Sequence, residues 1–306
     1  MITKITLKDF NEYLYELPHN ILKISAYAKG KATALEFNVI SSELKLVGGE
    51  EINMYIDGNL HFSGKIFDFS KSFDTISIMA YDNLIYFKSK DTILIKNDSA
   101  STIIKQICSK IGVNSGEISS TGYVLPYVLY ENMTYFDIVN AILDSSFQVS
   151  GVKYYMSDDN GSICLNPQKN NNRIVNIDDS VLISITDDSF LANIYNAIHV
   201  YQISTSGTVL SYYAYDNSLI LQLGKIQKSV NVDRNLTVAQ CNLIAQNMLL
   251  DSTQAIFCLQ IEIIALFTIK IFDIIVINGE RYYVVESVLT INSSKEVYLL
   301  TLEKEV

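Results

Sequence analysis

From Gly58 to Phe87 the chain reads GNLHFSGKIFDFSKSFDTISIMAYDNLIYF, and this stretch restricts the fold more than any other. Leu60, Phe62, Gly64, Ile66 and Asp68 share one face of a first strand. After a polar break at Ser70-Lys71-Ser72, Ile76, Ile78 and Ala80 alternate with Thr75, Ser77 and Met79. An apolar residue at every second position marks a pleated strand with at least one buried face. Gly64 is out of place in such a strand unless a bend, a bulge or a close backbone approach requires it. A barrel bend or bulge is therefore expected there.

Similar alternation extends over residues 1–88. Leu22, Ile24, Ala26 and Ala28 lie on one face of an early strand, and Leu35, Phe37 and Val39 alternate with Glu36 and Asn38. Gly48-Gly49 turns the chain into Glu51–Ile56, and Asp57-Gly58 is a hairpin signal. The composition changes after Lys90. Asp98 or Ser99 can cap a helix over Ala100–Ile111 that ends at Gly112 and Asn114. A second helix is predicted over Thr134–Ser146, and the intervening Thr121–Pro126 is extended because the residue before proline avoids the helical region. A hairpin over Val152–Leu165 turns at Asp158-Asp159-Asn160-Gly161. These elements make residues 89–172 a small α/β module, with Asn170-Asn171-Asn172 as its linker.

Residues 173–306 read as a second β region with one helix over about 237–251. Strands are predicted at Arg173–Val175, Asn196–Tyr201 and Leu210–Leu223, and those near 194–223 are candidates to complete the first barrel. The fold class is thus mainly β with an α+β insert: two β-barrel tube-type domains flanking a small α/β module and a helix.

A chain of 306 residues with 49% hydrophobic and 18% charged residues is built to fold rather than stay disordered. Its net charge of −10 argues against general or sequence-specific nucleic-acid binding, which needs basic stripes. It suits a channel along which DNA slides, and equally ordinary solubility. The chain has 20 Tyr and 13 Phe but no Trp. Tyrosine suits half-exposed strands and subunit interfaces, although AT-rich coding would favour it as well. Cys108, Cys164, Cys241 and Cys258 lack metal-chelate spacing and read as buried reduced thiols of a cytoplasmically made protein. No leader is read at Met1–Lys4. The apolar run Ala255–Ile277 is broken by Gln260, Glu262, Lys270 and Asp273, so it reads as strands and not as a membrane span.

Catalysis finds no constellation. His19, His61 and His199 stand apart, with no zinc-helix, nucleophile-elbow or phosphate-loop pattern. The adjacent carboxylates Glu50-Glu51, Asp178-Asp179 and Asp187-Asp188 would point to opposite faces of a strand, whereas glycosidase chemistry needs two facing one sugar. They read as solvated loop charges. No cofactor and no metal is expected.

The order x-F-x-G-x-I, then I-x-I-x-A-Y-D and L-I-Y-F, resembles the end of the first β-barrel in baseplate hub proteins of contractile phage tails, the XkdQ and late-control-D type. The residues that carry it are Phe62, Gly64, Ile66, Ala80, Tyr81 and Asp82, followed by Thr121, Gly122, Tyr123 and Pro126. Asn132-x-Thr134-x-x-Asp137-Ile138, Lys153-Tyr154-Tyr155, Gly161 and Asn193–Tyr201 extend the similarity over most of the chain. One departure is Ile263–Phe267, where that family often has a glycine-containing hinge. The resemblance implies a structural, non-enzymatic homotrimer whose two barrels per chain give a pseudo-sixfold ring. Its implied partners are a tail tube or tube-initiator protein, a central spike and other baseplate proteins, in a virion, prophage or bacteriocin tail. The competing reading is a tail-associated peptidoglycan hydrolase or cell-wall-binding module.

Overall fold

The computed structural model describes residues 2–40, 44–168, 173–189, 194–254 and 257–305. The expected linker Asn170–Asn172, Asn193 and Ala255 lie outside the described residues. Seven strands form the first β unit: β1 (Thr3–Lys8), β2 (Leu14–Leu17), β3 (His19–Tyr27), β4 (Ala34–Ile40), β5 (Glu51–Ile56), β6 (Asn59–Ser72) and β7 (Thr75–Tyr81). Their hydrogen-bonded order is β3-β4-β7-β6-β5-β1-β2. β2 and β3 follow one another across Pro18 alone, and the His19 ring reaches the Thr3 hydroxyl at 2.8 Å. The sheet thus curls back on itself through one bent strand. The ladder itself stays open among the described residues, because β2 and β3 do not pair with each other.

The β6–β7 hairpin departs from its simple alternation at two places. Register shifts fall at His61, against β5, and at Phe67, against β7. Phe62 and Ile66 are buried as the period requires, while the shifts turn Leu60 and Asp68 off that face. The bulges therefore flank Gly64, which pairs in regular register with Ile52. The polar break at Ser70–Ser72 does not end the strand either. These residues pair with Thr75–Ser77, and the turn comes at Phe73-Asp74. Polar side chains on an exposed ribbon need no core, and the backbone ladder alone carries the strand.

The second β unit comprises Ile174–Asn176, Leu182–Ser189, Phe257–Ile264, Ile274–Ile277, Glu280–Ile291 and Glu296–Lys304. Glu280–Ile291 joins the two units: its first residues pair with Ile274–Ile277, its last with β3, and its other edge with Glu296–Lys304. All thirteen strands thereby belong to one sheet, and one apolar core contains Ile5, Leu35 and Ile66 together with Ile261, Val284 and Leu300. At Ile263–Phe267 the strand ends at Ile264, and Ala265 is buried with its N–H donated to the Glu296 carbonyl at 2.9 Å.

An α/β insertion leaves the first unit after Tyr81. Its core combines Leu84, Ile85 and Phe87 with helices α1 (Ala100–Ile111) and α2 (Tyr135–Ser150), so Asn83–Lys88 packs with the insertion and not with the first β unit. Ser99 caps α1 and Thr134 caps α2, and Gly112 and Gly151 end them in the left-handed conformation. Two pairings were not anticipated from the sequence: Lys90–Ile95 with Val128–Thr134, and Asn114–Ile118 alongside Ser162–Pro167.

A second insertion separates Leu182–Ser189 from Phe257–Ile264. The strands Ala197–Ile203 and Val209–Tyr215 do not complete the first barrel. They pair with each other and with Gln227–Asn231, and pack Ile198, Val200 and Ala214 on helix α4 (Val238–Gln254). The strand expected to run to Leu223 stops at Tyr215. Asp216 accepts the Leu219 N–H at 3.0 Å and starts a short helix, α3 (Asn217–Leu223).

Candidate functional site

The first six residues of the family-like motif meet where the first β unit hands the chain to its insertion. Gly64 faces the β7 backbone so closely that a Cβ there would overlap the Tyr81 carbonyl oxygen and stand 2.7 Å from the Phe62 ring. Ala80 and Ile66 pair across the same hairpin and are buried. The Tyr81 ring takes Phe67 edge-on at 5.8 Å and carries the Lys88 ammonium at 5.3 Å.

Asp82 is the pivot. Its carboxylate accepts the Thr33 and Leu84 N–H groups, each at 3.1 Å, while its own N–H donates to the Thr33 carbonyl. It thus caps Asn83–Lys88 and ties it to the β3–β4 connection. One residue on, the Asn83 N–H donates to Asp158 Oδ2 at 2.8 Å, and the Asn83 side-chain amide donates to the Gly161 carbonyl. Asp158 Oδ1 accepts the Gly161 N–H at 2.7 Å. The sequence Asp158–Gly161 is therefore a hairpin turn, as expected, whose first carboxylate also grips the chain where it leaves the first β unit.

Burial pushes the Asp82 carboxyl up to about 7, with the like charge of Asp158 adding to it and the Thr33 and Leu84 donors opposing it. A folded-state pKa raised above the unfolded 3.8 means that the native protein holds the extra proton, so stability falls as pH rises through 7. His61 acts in the opposite direction. Burial and then Lys270 lower its ring to about 4, so acidification below 6.5 destabilises. The Asp82 gain and the opposing His61 loss leave a net rise in stability of less than about 1 kcal/mol between pH 8 and 6.5, flattening below that. Urea titrations across this range check the expectation. A gain that persists unchanged in Asp82→Asn assigns it to another group.

The remaining motif residues lie on the insertion. Thr121 is buried and accepts the Ser146 hydroxyl at 3.4 Å, and Gly122 holds φ +67°. Tyr123 packs against the insertion core, and burial raises its hydroxyl pKa. Leu125 is buried beside the half-buried Pro126 and pairs with Asp98. The ten motif residues thus form two structural groups rather than one constellation.

Glu50 is not a solvated loop charge. It is buried, and its two oxygens accept the Val47 and Gly48 N–H groups at 2.6 and 2.9 Å. Asp178 caps a turn through Ser180, while the Asp187 and Asp188 side chains lie outside the described residues. His199 stacks on Tyr213 at 4.6 Å, and His19 sits on Thr3. Among the described residues no three His, Cys, Asp or Glu gather to hold a metal ion. None of the four cysteines forms a disulfide among the described residues. Burial pushes Cys108 up to about 11 and also raises Cys164 and Cys241, which makes them poor nucleophiles.

A groove of about 550 Å³ lies between the sheet and the two insertions, lined among others by Tyr27, Lys153, Phe272, Glu286 and Glu303. Lys153 and Asp251 form an ion pair across it at 2.7 Å, joining the insertions. No buried side-chain N or O among the described residues lacks a hydrogen-bond partner. No described helix is long and apolar enough to cross a membrane.

Comparison with known proteins agrees with this architecture, and residues 22–301 match the YQBQ-like family. The chain belongs to that family. Its similarity to the phage-like element PBSX protein XkdQ of Bacillus subtilis (strain 168) is 23% identity over 172 residues, 54% of this chain and 52% of that protein. The match therefore spans about half the length of that relative. The fold is that of phage tail proteins. The tail protein of Neisseria meningitidis MC58 superposes with a TM-score of 0.77 at 13% identity, covering 100% of this chain and 97% of that one. The 43 kDa tail protein of prophage MuSo2 from Shewanella oneidensis gives 0.73 at 12% identity, with 98% of each chain covered. The resemblance to baseplate-type proteins holds for this YQBQ-like chain. The junction partners Thr33, Asn83 and Asp158 were not found from the sequence, because nothing local to them marks a contact more than 45 residues away.

Proposed function

We propose that this YQBQ-like protein is the structural hub of a contractile tail baseplate, a homotrimer that adapts a sixfold tail tube to a threefold central spike. One observation carries the reading. Each chain holds two β units in one sheet, and an α/β insertion leaves each unit at the same end of its strands. Three chains would set six such units around an axis, each contact heterologous as a closed threefold ring demands. The proposed channel is lined mainly by polar and acidic residues, in keeping with the net charge of −10.

The reading is non-catalytic. What supports it is that Glu50, one of the carboxylates singled out by sequence, and Asp158, of the predicted turn, act as turn and junction acceptors. The proposed division of labour gives the β units to the ring and the insertions to the contacts below it, after synthesis in the bacterial cytoplasm. Co-expression with the spike protein of the same particle and native mass spectrometry is expected to give three copies of this chain per complex. A different stoichiometry rejects the hub. A lysis band on a peptidoglycan zymogram would favour the hydrolase instead.

A further inference from the structure

Strand pairing sets the floor of the groove between the sheet and the two insertions. Tyr27, Glu286, Thr301 and Gln260 stand side by side on β3, Glu280–Ile291, Glu296–Lys304 and Phe257–Ile264. Glu303, two residues beyond Thr301, shares their face. All five line the groove. Ala28, Phe272 and Val285 add apolar wall, and Phe272 is held by its contact with the Tyr155 ring at 4.1 Å.

The charges lining the groove do not cancel. Lys153 pairs with Asp251 at 2.7 Å and Lys29 with Asp144 at 3.5 Å, so both of its lysines are already neutralised. Lys31 lies on the Tyr27 ring at 4.4 Å and pairs with neither floor carboxylate. The Glu286 side chain accepts only the Thr301 hydroxyl, at 3.4 Å, and that of Glu303 has no hydrogen-bond or ion-pair partner among the described residues. Two carboxylates are thus left uncompensated. A neutral or anionic ligand seated here would strip their water and leave them unpaired, which is unfavourable. A metal ion is no better served, since no three His, Cys, Asp or Glu among the described residues gather to hold one. An organic cation answers the charge, and the aromatic and aliphatic walls suit the apolar stem that carries it.

We propose that this groove is a docking site for a peptide segment of a partner protein, entered by an arginine or lysine side chain that pairs with Glu286 and Glu303. Charge complementarity selects the occupant. A volume of about 550 Å³ exceeds what one such side chain fills, which leaves room for the residues beside it against Ala28, Phe272 and Val285. Because the groove lies between the sheet and both insertions, an occupant also braces the insertions against the sheet. The site is complete within one chain, so the inference goes beyond the hub reading and does not depend on it.

The probes are capped pentapeptides that differ only at the central residue, which is arginine, lysine, glutamine or glutamate between two valines and two terminal glycines. Their binding to the purified full chain is measured by titration calorimetry at low salt and in about 0.5 M salt. The arginine and lysine peptides are expected to bind at least about tenfold more tightly than the glutamine peptide, and the glutamate peptide most weakly. Salt is expected to narrow the gap. Glu303→Gln removes no contact, so its melting temperature is expected to stay unchanged while the preference falls, and adding Glu286→Gln is expected to abolish it. Glu131→Gln makes the same change of charge on an exposed strand of the first insertion, away from the groove, and is expected to leave the preference intact. Peptides that bind alike, a preference that survives both groove substitutions, or an equal loss in Glu131→Gln overturns the site. None of these outcomes bears on the hub reading, which stands or falls on stoichiometry.

Discussion

Gly64→Val is expected to destabilise the protein by roughly 3 kcal/mol or more, and Gly64→Ala by about 2 kcal/mol. β propensity alone predicts the reverse order, since valine is favoured in strands and glycine is not. The close approach decides the sign. A Cβ at this position meets the Tyr81 carbonyl, which is backbone, and the Phe62 ring at 2.7 Å. Backbone cannot swing aside as a flexible side chain can. Relief requires parting β6 from β7 near the Lys65–Tyr81 pair, the last before Asp82. Chemical denaturation of both variants tests this, and an unchanged or raised midpoint for either would refute the close-approach account.

The second large effect is expected at Asp158. Asp158→Ala removes the acceptor of two backbone N–H groups, those of Asn83 and Gly161, at a partly buried junction. A buried donor left without a partner costs about 1–3 kcal/mol, so a total of roughly 2–4 kcal/mol is expected. The change should also loosen the insertion from the first β unit. Hydrogen exchange is therefore expected to rise first at residues 83–88 and 158–161, ahead of the β core. Asp158→Asn is the control, because its side-chain carbonyl keeps one acceptor and should recover part of the loss. Uniform exchange across the whole chain, with no early opening at the junction, would show that Asp158 does not hold the two parts together.

Local patterns were enough for the elements whose chemistry is local. The burial of Leu35, Phe37 and Val39, the cap at Ser99, the stop at Gly112, and the turns at Asp57-Gly58 and Asn160-Gly161 all follow from residues within a few positions of one another, whereas the second helix, expected to end at Ser146, starts after Thr134 and runs on to Ser150. The motif from Phe62 to Asp82 was legible for the same reason, and it led to the correct family. Readings that assumed an unbroken period failed at its interruptions. Bulges at His61 and Phe67 moved Leu60 and Asp68 to the other face, and Asp216 turned an expected strand into a helix.

By itself, then, the sequence determined which segments are strands or helices in most of the chain, that the protein is mainly β, and that no familiar catalytic pattern is present. Side-chain period, capping and turn preference act over a handful of residues, so they survive in the linear order. Only the tertiary structure decided that both β regions share one sheet through Glu280–Ile291, and that the strands near 194–223 form a separate sheet on α4. It alone showed why Gly64 has no side chain, and what Asp82, Asp158 and Glu50 hold. Each of these depends on partners selected from many chemically similar strands and amides elsewhere in the chain. Backbone ladders carry no residue code, so the choice among them is made by how the whole core packs.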